Sequence, residues 1–271
     1  MNKFDETLLI AGCGNMGGAM LAGWLAGGMP AGQITIMDRS RADNHDGLRI
    51  LRNLPEGETF DYILLGFKPH QLAGLAPDVA HCAHEGTIIL SMLAGVESDV
   101  LDSAFPNSKA NVRVMPNLAA ALGKSPIALG PAERMPSGLR TVIDRLMAPL
   151  GFAEWIAESD FDLVTALAGS GPAFVYRFID AMAAGAAGLG LPREQADRLA
   201  LAMVDGAASL AARSEHSPAG LARSVASPGG VTQKGLDVMD ADGRMQKLAF
   251  DVLKAARDRS AQMAEDTKEI G

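Results

Sequence analysis

Large aromatic side chains are scarce in this sequence: two Trp, two Tyr and nine Phe make up 5% of 271 residues. The core must therefore be built from aliphatic side chains and close backbone packing, and 48% hydrophobic residues is ample for a folded chain long enough for two domains. Cysteine is equally sparse. Cys13 and Cys82 cannot form a disulfide framework, which points to a reducing compartment and a cytoplasmic address. Cations do not outnumber anions: 24 Lys and Arg face 32 Asp and Glu, a net charge of -8. A nucleic-acid surface needs clustered cations, so no nucleic-acid partner is expected and any anionic ligand must be met by local donors. Long apolar runs are missing too. The most tempting, residues 181–191, is bounded by Asp180 and Pro192 and is too short to span a bilayer, while Asp5 and Glu6 stand where a signal peptide needs an apolar stretch. No membrane partner is expected.

Signatures of metal and nucleophile chemistry are also wanting. His81 and His84 share the i, i+3 spacing of one helix face, but no second ligand cluster accompanies them, so the pair reads as an ordinary helix end and no metal is expected. There is no nucleophile elbow and no Walker lysine. One gap is more specific: no lysine occurs between Lys124 and Lys234. A β-hydroxy acid dehydrogenase is expected to carry a lysine on the first long helix of its second half to handle the alcohol proton. Ala168-Gly169-Ser170-Gly171-Pro172-Ala173-Phe174 stands there instead, where proline disrupts the helical ladder and glycine admits close approach by a ligand or another helix.

What is present falls into two halves. Across residues 1–158, short β-like runs at 7–11, 33–37, 62–66, 87–90, 111–115 and 126–130 alternate with helical or loop segments, the pattern of a parallel α/β sheet. A short strand is added at 48–51, and residues 39–47 are too short and polar for a helix, so a loop is expected there. Across residues 159–271, strand signals vanish and Ala, Leu, Met and Gly recur at helical spacing, predicting helices near 160–189, 193–213, 218–225, 232–240 and 244–266. Ser159 is placed to cap the first of these, and Pro192 and Pro218 suit first-turn positions. A helical half this poor in large side chains has a thin core, which a partner subunit would complete.

The cofactor signal is Gly12-Cys13-Gly14-Asn15-Met16-Gly17, directly after a strand and opening a helical run. In that context the first glycine turns tightly, the second admits a pyrophosphate and the third packs helix on strand, which predicts a Rossmann-type doubly wound domain that binds a dinucleotide. About twenty residues on, Asp38 ends the second strand, where an acid accepts the ribose hydroxyls of NAD. Arg39, Ser40 and Arg41 follow at once and suit a 2′-phosphate, so NADH and NADPH both stay open. Asn53 follows the short strand, and Gly66-Phe67-Lys68-Pro69-His70 is expected as a loop at a strand's carboxyl end, facing the ligand crevice. In the second half, Ser227-Pro228-Gly229-Gly230-Val231-Thr232 admits two readings: a plain connection between helices, or a carboxylate cradle in which Thr232 caps a helix whose free N–H groups attract an anion.

Taken together, these segments resemble the pyrroline-5-carboxylate reductases. The resemblance runs over nearly the whole chain, through the glycine loop, Phe67-Lys68-Pro69, Arg113-Val114-Met115-Pro116-Asn117, Thr165-Ala166-Leu167-Ala168-Gly169-Ser170-Gly171-Pro172, Gly190-Leu191-Pro192-Arg193-Glu194 and Ser227 to Thr232. It implies an N-terminal Rossmann domain, an all-α C-terminal dimerisation domain, and a homodimer that assembles further into a decamer. It also implies reduction of 1-pyrroline-5-carboxylate to L-proline by NADPH or NADH. Gly12, Cys13, Gly14, Asn15, Met16, Gly17, Asp38, Arg39, Ser40, Phe67, Lys68, Pro69 and Ala94 would hold the cofactor, with Asn53 on its adenosine side and Met115, Pro116 and Asn117 near the nicotinamide. Ser227, Gly229, Gly230, Val231 and Thr232 would take the substrate carboxylate, the Thr232 hydroxyl would lie near the ring nitrogen as the catalytic group, and Glu215 would stand by the substrate pocket. The chain departs from the family pattern at Phe174, usually Tyr, at Val231, usually Thr, and at Leu118-Ala119-Ala120, more commonly Thr-Pro-Ala. Reductases of other cyclic imines, β-hydroxy acid dehydrogenases of related architecture and a non-catalytic dinucleotide sensor are the alternatives.

Overall fold

The computed structural model describes residues 5–38 and 47–268, and the chain divides into two compact units. The first runs to Gly169 and is joined by the C-terminal segment from Ala256; the second spans Ser170–Ala255. The loop expected at 39–47, with Arg39, Ser40 and Arg41, lies outside the described residues except for Gly47.

In the first unit eight strands form one sheet: β1 (Leu8–Ala11), β2 (Ile34–Met37), β3 (Arg49–Leu51), β4 (Phe60–Leu65), β5 (Ala83–Ser91), β6 (Ala110–Met115), β7 (Ser125–Gly130) and β8 (Gly151–Trp155), in the order β3-β2-β1-β4-β5-β6-β7-β8. All described pairings are parallel except β6 with β7. β1, β2 and the last five residues of β5 are buried throughout, which is why those strands read as unbroken apolar runs rather than alternation. Helices α1 (Asn15–Ala26), α2 (Leu72–Ala80), α3 (Ser98–Ala104) and α4 (Ser137–Met147) connect them. Two apolar clusters result, one containing Leu8, Ile10, Trp24 and Leu146, the other Leu9, Ile63, Val79 and Leu101. Successive residues of β1 alternate between the two, the period-two signature of a sheet covered on both faces.

Three expectations change here. β8 was not foreseen: its sequence, Gly-Phe-Ala-Glu-Trp, alternates half-buried and exposed residues because it is the sheet edge. β5 begins earlier than expected, at Ala83, so His81 caps α2 at its C-terminal end while His84 lies in the strand. The two histidines therefore do not share a helix face. The first helix of the second half is not continuous either. α5 (Phe161–Val164) gives way to a π-helical turn, Thr165–Gly169, before α6 (Gly171–Gly188) restarts with Pro172 in its first turn, where its missing N–H leaves no ladder bond unmade. Ser159 lies inside a short 3-10 turn, Glu158–Asp160, and caps nothing.

The approach to α5 is held by a buried ion pair. Arg113 of β6, 7% exposed, donates from Nη1 to Glu158 Oε1 at 2.7 Å, and its guanidinium carbon lies 4.0 Å from the Phe161 ring centroid. Glu158 also accepts from the Ser98 hydroxyl at 2.7 Å and the Ser98 N–H at 3.2 Å. Removing one partner strands the other charge. Glu158→Ala should lower unfolding free energy in urea by about 3 kcal/mol, with a smaller loss when Arg113→Met and Glu158→Leu are combined.

The second unit is helical: α6, α7 (Arg193–Ala211), α8 (Pro218–Val225) and α9 (Val231–Asp240), followed by the start of α10 (Arg244–Lys268). Pro218 occupies the first turn of α8, whose start is capped by the Ser217 hydroxyl accepting from the Gly220 N–H at 3.2 Å. Pro192 instead precedes α7 by one residue. α6 and α7 pack through small residues, and the unit's buried cluster consists of Ala183, Ala196 and Ala200. Larger apolar side chains such as Leu199, 55% exposed, and Phe250, 65% exposed, lie on the outside.

Candidate functional site

The glycine loop follows β1 as its spacing predicts, and each glycine has a distinct steric reason. Gly12 has φ +91°, and a Cβ there would lie 2.7 Å from the Phe67 backbone nitrogen. Gly17 approaches the Gly12 carbonyl, which a Cβ would meet at 3.1 Å, so helix and loop pack closely. Gly14 is different: a Cβ there meets nothing within 4 Å. Steric necessity within the fold explains the first and third glycines but not the second, whose open side faces the crevice. Hydrogen bonds from Gly12 N–H to Met37 O and from Gly66 N–H to Ala11 O, both 2.8 Å, tie the loop to the ends of β2 and β4.

A cavity of about 360 Å³ opens at these ends. It lies where the strand order turns from β1 outward to β2 on one side and β4 on the other, the switch point at which open α/β sheets bind ligands. Gly12, Gly14, Asp38, Phe67 and Lys68, all expected from sequence, line it. Gly66, from the loop expected to face the crevice, lines it too, as do Met37, Gln71 and Leu75, which were not assigned to the site. Gln71 also accepts the Lys68 N–H through Oε1 at 2.9 Å and so shapes the turn after β4. Asp38 Oδ2 accepts the Cys13 N–H at 3.0 Å. The loop, the N-terminus of α1 and the open face of Gly14 fit a pyrophosphate, since free N–H groups at a helix start attract an anion.

The other expected cofactor residues are placed less directly. Cys13 and Gly17 are buried behind the loop, while Asn15 and Met16 begin α1. Pro69 opens the short turn that leads into α2. Asn53 lines a neighbouring cavity of about 670 Å³. Burial pushes the thiol pKa of Cys82 up, and its Sγ lies 3.6 Å from the Pro55 carbonyl, behind the loop that carries Asn53. Ala94 follows β5.

Met115 ends β6 and packs against Gly169 of the π-helical turn, where a Cβ would meet its sulfur at 3.3 Å. Pro116 is buried. Asn117, 4% exposed, spends its side chain internally: Nδ2 donates to the Ala168 carbonyl at 3.0 Å and Oδ1 accepts the Ala119 N–H at 2.9 Å. It therefore links the end of β6 to the π-helical turn, a contact between distant residues that no local pattern announces.

In the second unit, Ser227 to Gly230 forms a β-turn closed by Gly230 N–H to Ser227 O at 2.9 Å. Pro228 occupies the second position and Gly229 the third with φ +71°, the pattern of a type II turn. Gly230, whose Cβ would lie 2.3 Å from the Ser227 hydroxyl, is the N-cap of α9. Thr232 is thus not the cap. It stands in the first helical turn, beside exposed Val231, because the type II turn starts the helix one residue earlier than expected. The first-turn N–H groups of α9 are left for an external acceptor. Glu215 is exposed on the bend between α7 and α8.

Residues 158–263 match the family model for pyrroline-5-carboxylate reductase dimerisation. A pyrroline-5-carboxylate reductase of Pseudomonas aeruginosa is 32% identical over 261 residues, 94% of this chain and 95% of that protein. The solved structure of such a reductase from Coxiella burnetii superposes with a TM-score of 0.85 at 24% identity, over 96% of this chain and 98% of that one. A Plasmodium falciparum pyrroline carboxylate reductase solved with NADP bound gives a TM-score of 0.81 at 21% identity, over 97% and 100%. With a relative this similar over nearly its whole length, the chain belongs to the pyrroline-5-carboxylate reductase family.

Proposed function

We propose that the protein reduces 1-pyrroline-5-carboxylate to L-proline with NADPH or NADH, the last step of proline biosynthesis. The observation that carries this reading is that a chain of this family holds both a dinucleotide-type glycine loop, in its first unit, and an anion-accepting turn and helix start, in its second. The bound dinucleotide supplies the hydride that reduces C5 of the ring. The chain does the rest by positioning. First-turn N–H groups of α9 hold the substrate carboxylate, with Ser227, Gly229 and Gly230 shaping the cradle and Val231 presenting its backbone. Thr232 orients the ring nitrogen as it takes up its proton, and Glu215 stands by the same pocket. An imine carbon becomes a better hydride acceptor once its nitrogen is protonated, so no strong enzymic base is required. That agrees with the lysine-free stretch between Lys124 and Lys234.

Two copies form the working unit, through the apolar surface that the second unit leaves outside its alanine core; such dimers are the building block of a decamer. Among the described residues no helix is long and apolar enough to cross a membrane, and the reaction is assigned to the cytoplasm. Comparing kcat/KM for 1-pyrroline-5-carboxylate, a ring-expanded cyclic imine carboxylate and a β-hydroxy acid tests the substrate class. The five-membered imine should be favoured by at least about tenfold, the scale set by one extra methylene in a fitted pocket. A higher value for either competitor would refute the assignment.

A further inference from the structure

We propose that Asn117 is a positioning residue for hydride transfer: its side-chain amide supplies the hydrogen bond that Pro172 denies to the π-helical turn before α6. The inference rests on the reductase reading above and names a residue that acts on the reacting centre through that turn. In an unbroken α-helix the Ala168 carbonyl accepts the N–H four residues on, which falls at Pro172, and proline has none. No bond of α6 itself is lost, because first-turn N–H groups reach outside their helix. The missing bond is the one that would reach back to the turn. Ala173 does not replace it, since its N–H donates to Ser170 O at 3.0 Å. Ser170 keeps a right-handed helical backbone, φ -88° and ψ -22°, so the chain continues helically past the gap. Asn117, 51 residues earlier, fills that gap by donating from Nδ2 to Ala168 O at 3.0 Å.

Asn117 is itself fixed well enough to serve. Its N–H donates to the buried Ser125 Oγ at 2.9 Å and its Oδ1 accepts the Ala119 N–H at 2.9 Å. A flipped amide would set oxygen against the Ala168 oxygen and nitrogen against the Ala119 nitrogen, so one orientation satisfies both partners. The turn it holds also touches the ligand end of the sheet. Gly169 lies against Met115, the last residue of β6, where a Cβ would meet its sulfur at 3.3 Å. β1, β4, β5 and β6 pair in parallel, so Met115 stands at the same strand ends as the glycine loop. A turn without its amide bond loosens this contact, and a misplacement of about 1 Å near reacting atoms lowers rate by up to about a hundredfold.

The test pairs a loss with its rescue. Asn117→Ser removes the donor and keeps an oxygen to cap the Ala119 N–H. With imine and reduced dinucleotide saturating, it should lower kcat at least about tenfold. The dissociation constant of the dinucleotide, read by nicotinamide fluorescence, should stay within about threefold of wild type. Pro172→Ala places an N–H where the ladder lacks one. Alone it should change kcat less than about twofold, and added to Asn117→Ser it should restore kcat to within about threefold of wild type. A general packing role for Asn117 predicts no such rescue. The proposal is overturned if Asn117→Ser turns over as wild type, or if Pro172→Ala fails to rescue it. Weakened dinucleotide binding that Pro172→Ala does not mend would also overturn it, by placing the amide on the cofactor. Should Asn117→Ser not fold, Asn117→Asp keeps the shape and the acceptor, loses the donor and is read by the same criteria. If the wild-type protein does not reduce the imine, the reductase reading falls, and hydrogen exchange at residues 165–171 then decides the clamp. Exchange should be at least about tenfold faster in Asn117→Ser and slowed again by Pro172→Ala, and equal exchange in all three proteins overturns it.

Discussion

Gly12→Ala should abolish useful dinucleotide binding and weaken the fold, whereas Gly14→Ala should impair binding alone. At Gly12 the backbone has φ +91°, and the added methyl would lie 2.7 Å from Phe67 N and 2.9 Å from Gly66 C. Those are backbone atoms, so no side-chain rotation relieves the contact. Either the loop or the end of β4 must move, and both line the cavity. A stability loss of about 2–4 kcal/mol is expected from strain and displacement together. The dissociation constant for the preferred reduced dinucleotide should rise at least about a hundredfold. At Gly14 nothing stands within 4 Å of a Cβ, so the methyl occupies the crevice rather than the protein interior. Urea unfolding of that variant should match wild type while dinucleotide titration weakens. Equal destabilisation by the two substitutions would show that the loop's glycines serve the fold alone.

Thr232→Ala should lower turnover about a hundredfold, the scale seen when one hydrogen-bonding group is removed from a reacting centre. Binding of the reduced dinucleotide should stay within about twofold of wild type, because Thr232 belongs to the second unit while the glycine loop belongs to the first. Thr232→Ser should retain most activity, since it keeps the hydroxyl at the same place in the first turn of α9. Steady-state kinetics with saturating cofactor, paired with a cofactor titration, separates these effects. Wild-type turnover in the alanine variant would remove the hydroxyl from the mechanism and leave carboxylate capture to the helix N–H groups.

The contrast between these two positions also explains what could be read from sequence. Steric demands at a glycine loop are local, so Gly12, Gly14 and Gly17 announce themselves by spacing between a strand and a helix. The SPGG turn is local as well, yet its neighbours did not fix the helix start, and the structure moves the cap two residues, from Thr232 to Gly230. Buried parallel strands were legible as apolar runs. β8 was not, because an edge strand with Glu154 and half-exposed neighbours carries no such run. Gln71 and Leu75 reach the cavity only through the strand order that sets β4 beside β1, information no short motif contains. Asn117 is instructive in another way: the family resemblance places it near the nicotinamide, and its side-chain amide ties the end of β6 to Ala168 and Ala119, a role no short motif contains.

The most direct test of the whole account is to add 1-pyrroline-5-carboxylate to the purified protein with reduced dinucleotide, follow loss of nicotinamide absorbance, and quantify proline by chiral chromatography. The account predicts oxidation of the cofactor with L-proline formed mole for mole. Tight dinucleotide binding with no oxidation on adding the imine would contradict it, and would identify the protein as a dinucleotide sensor that keeps the reductase fold.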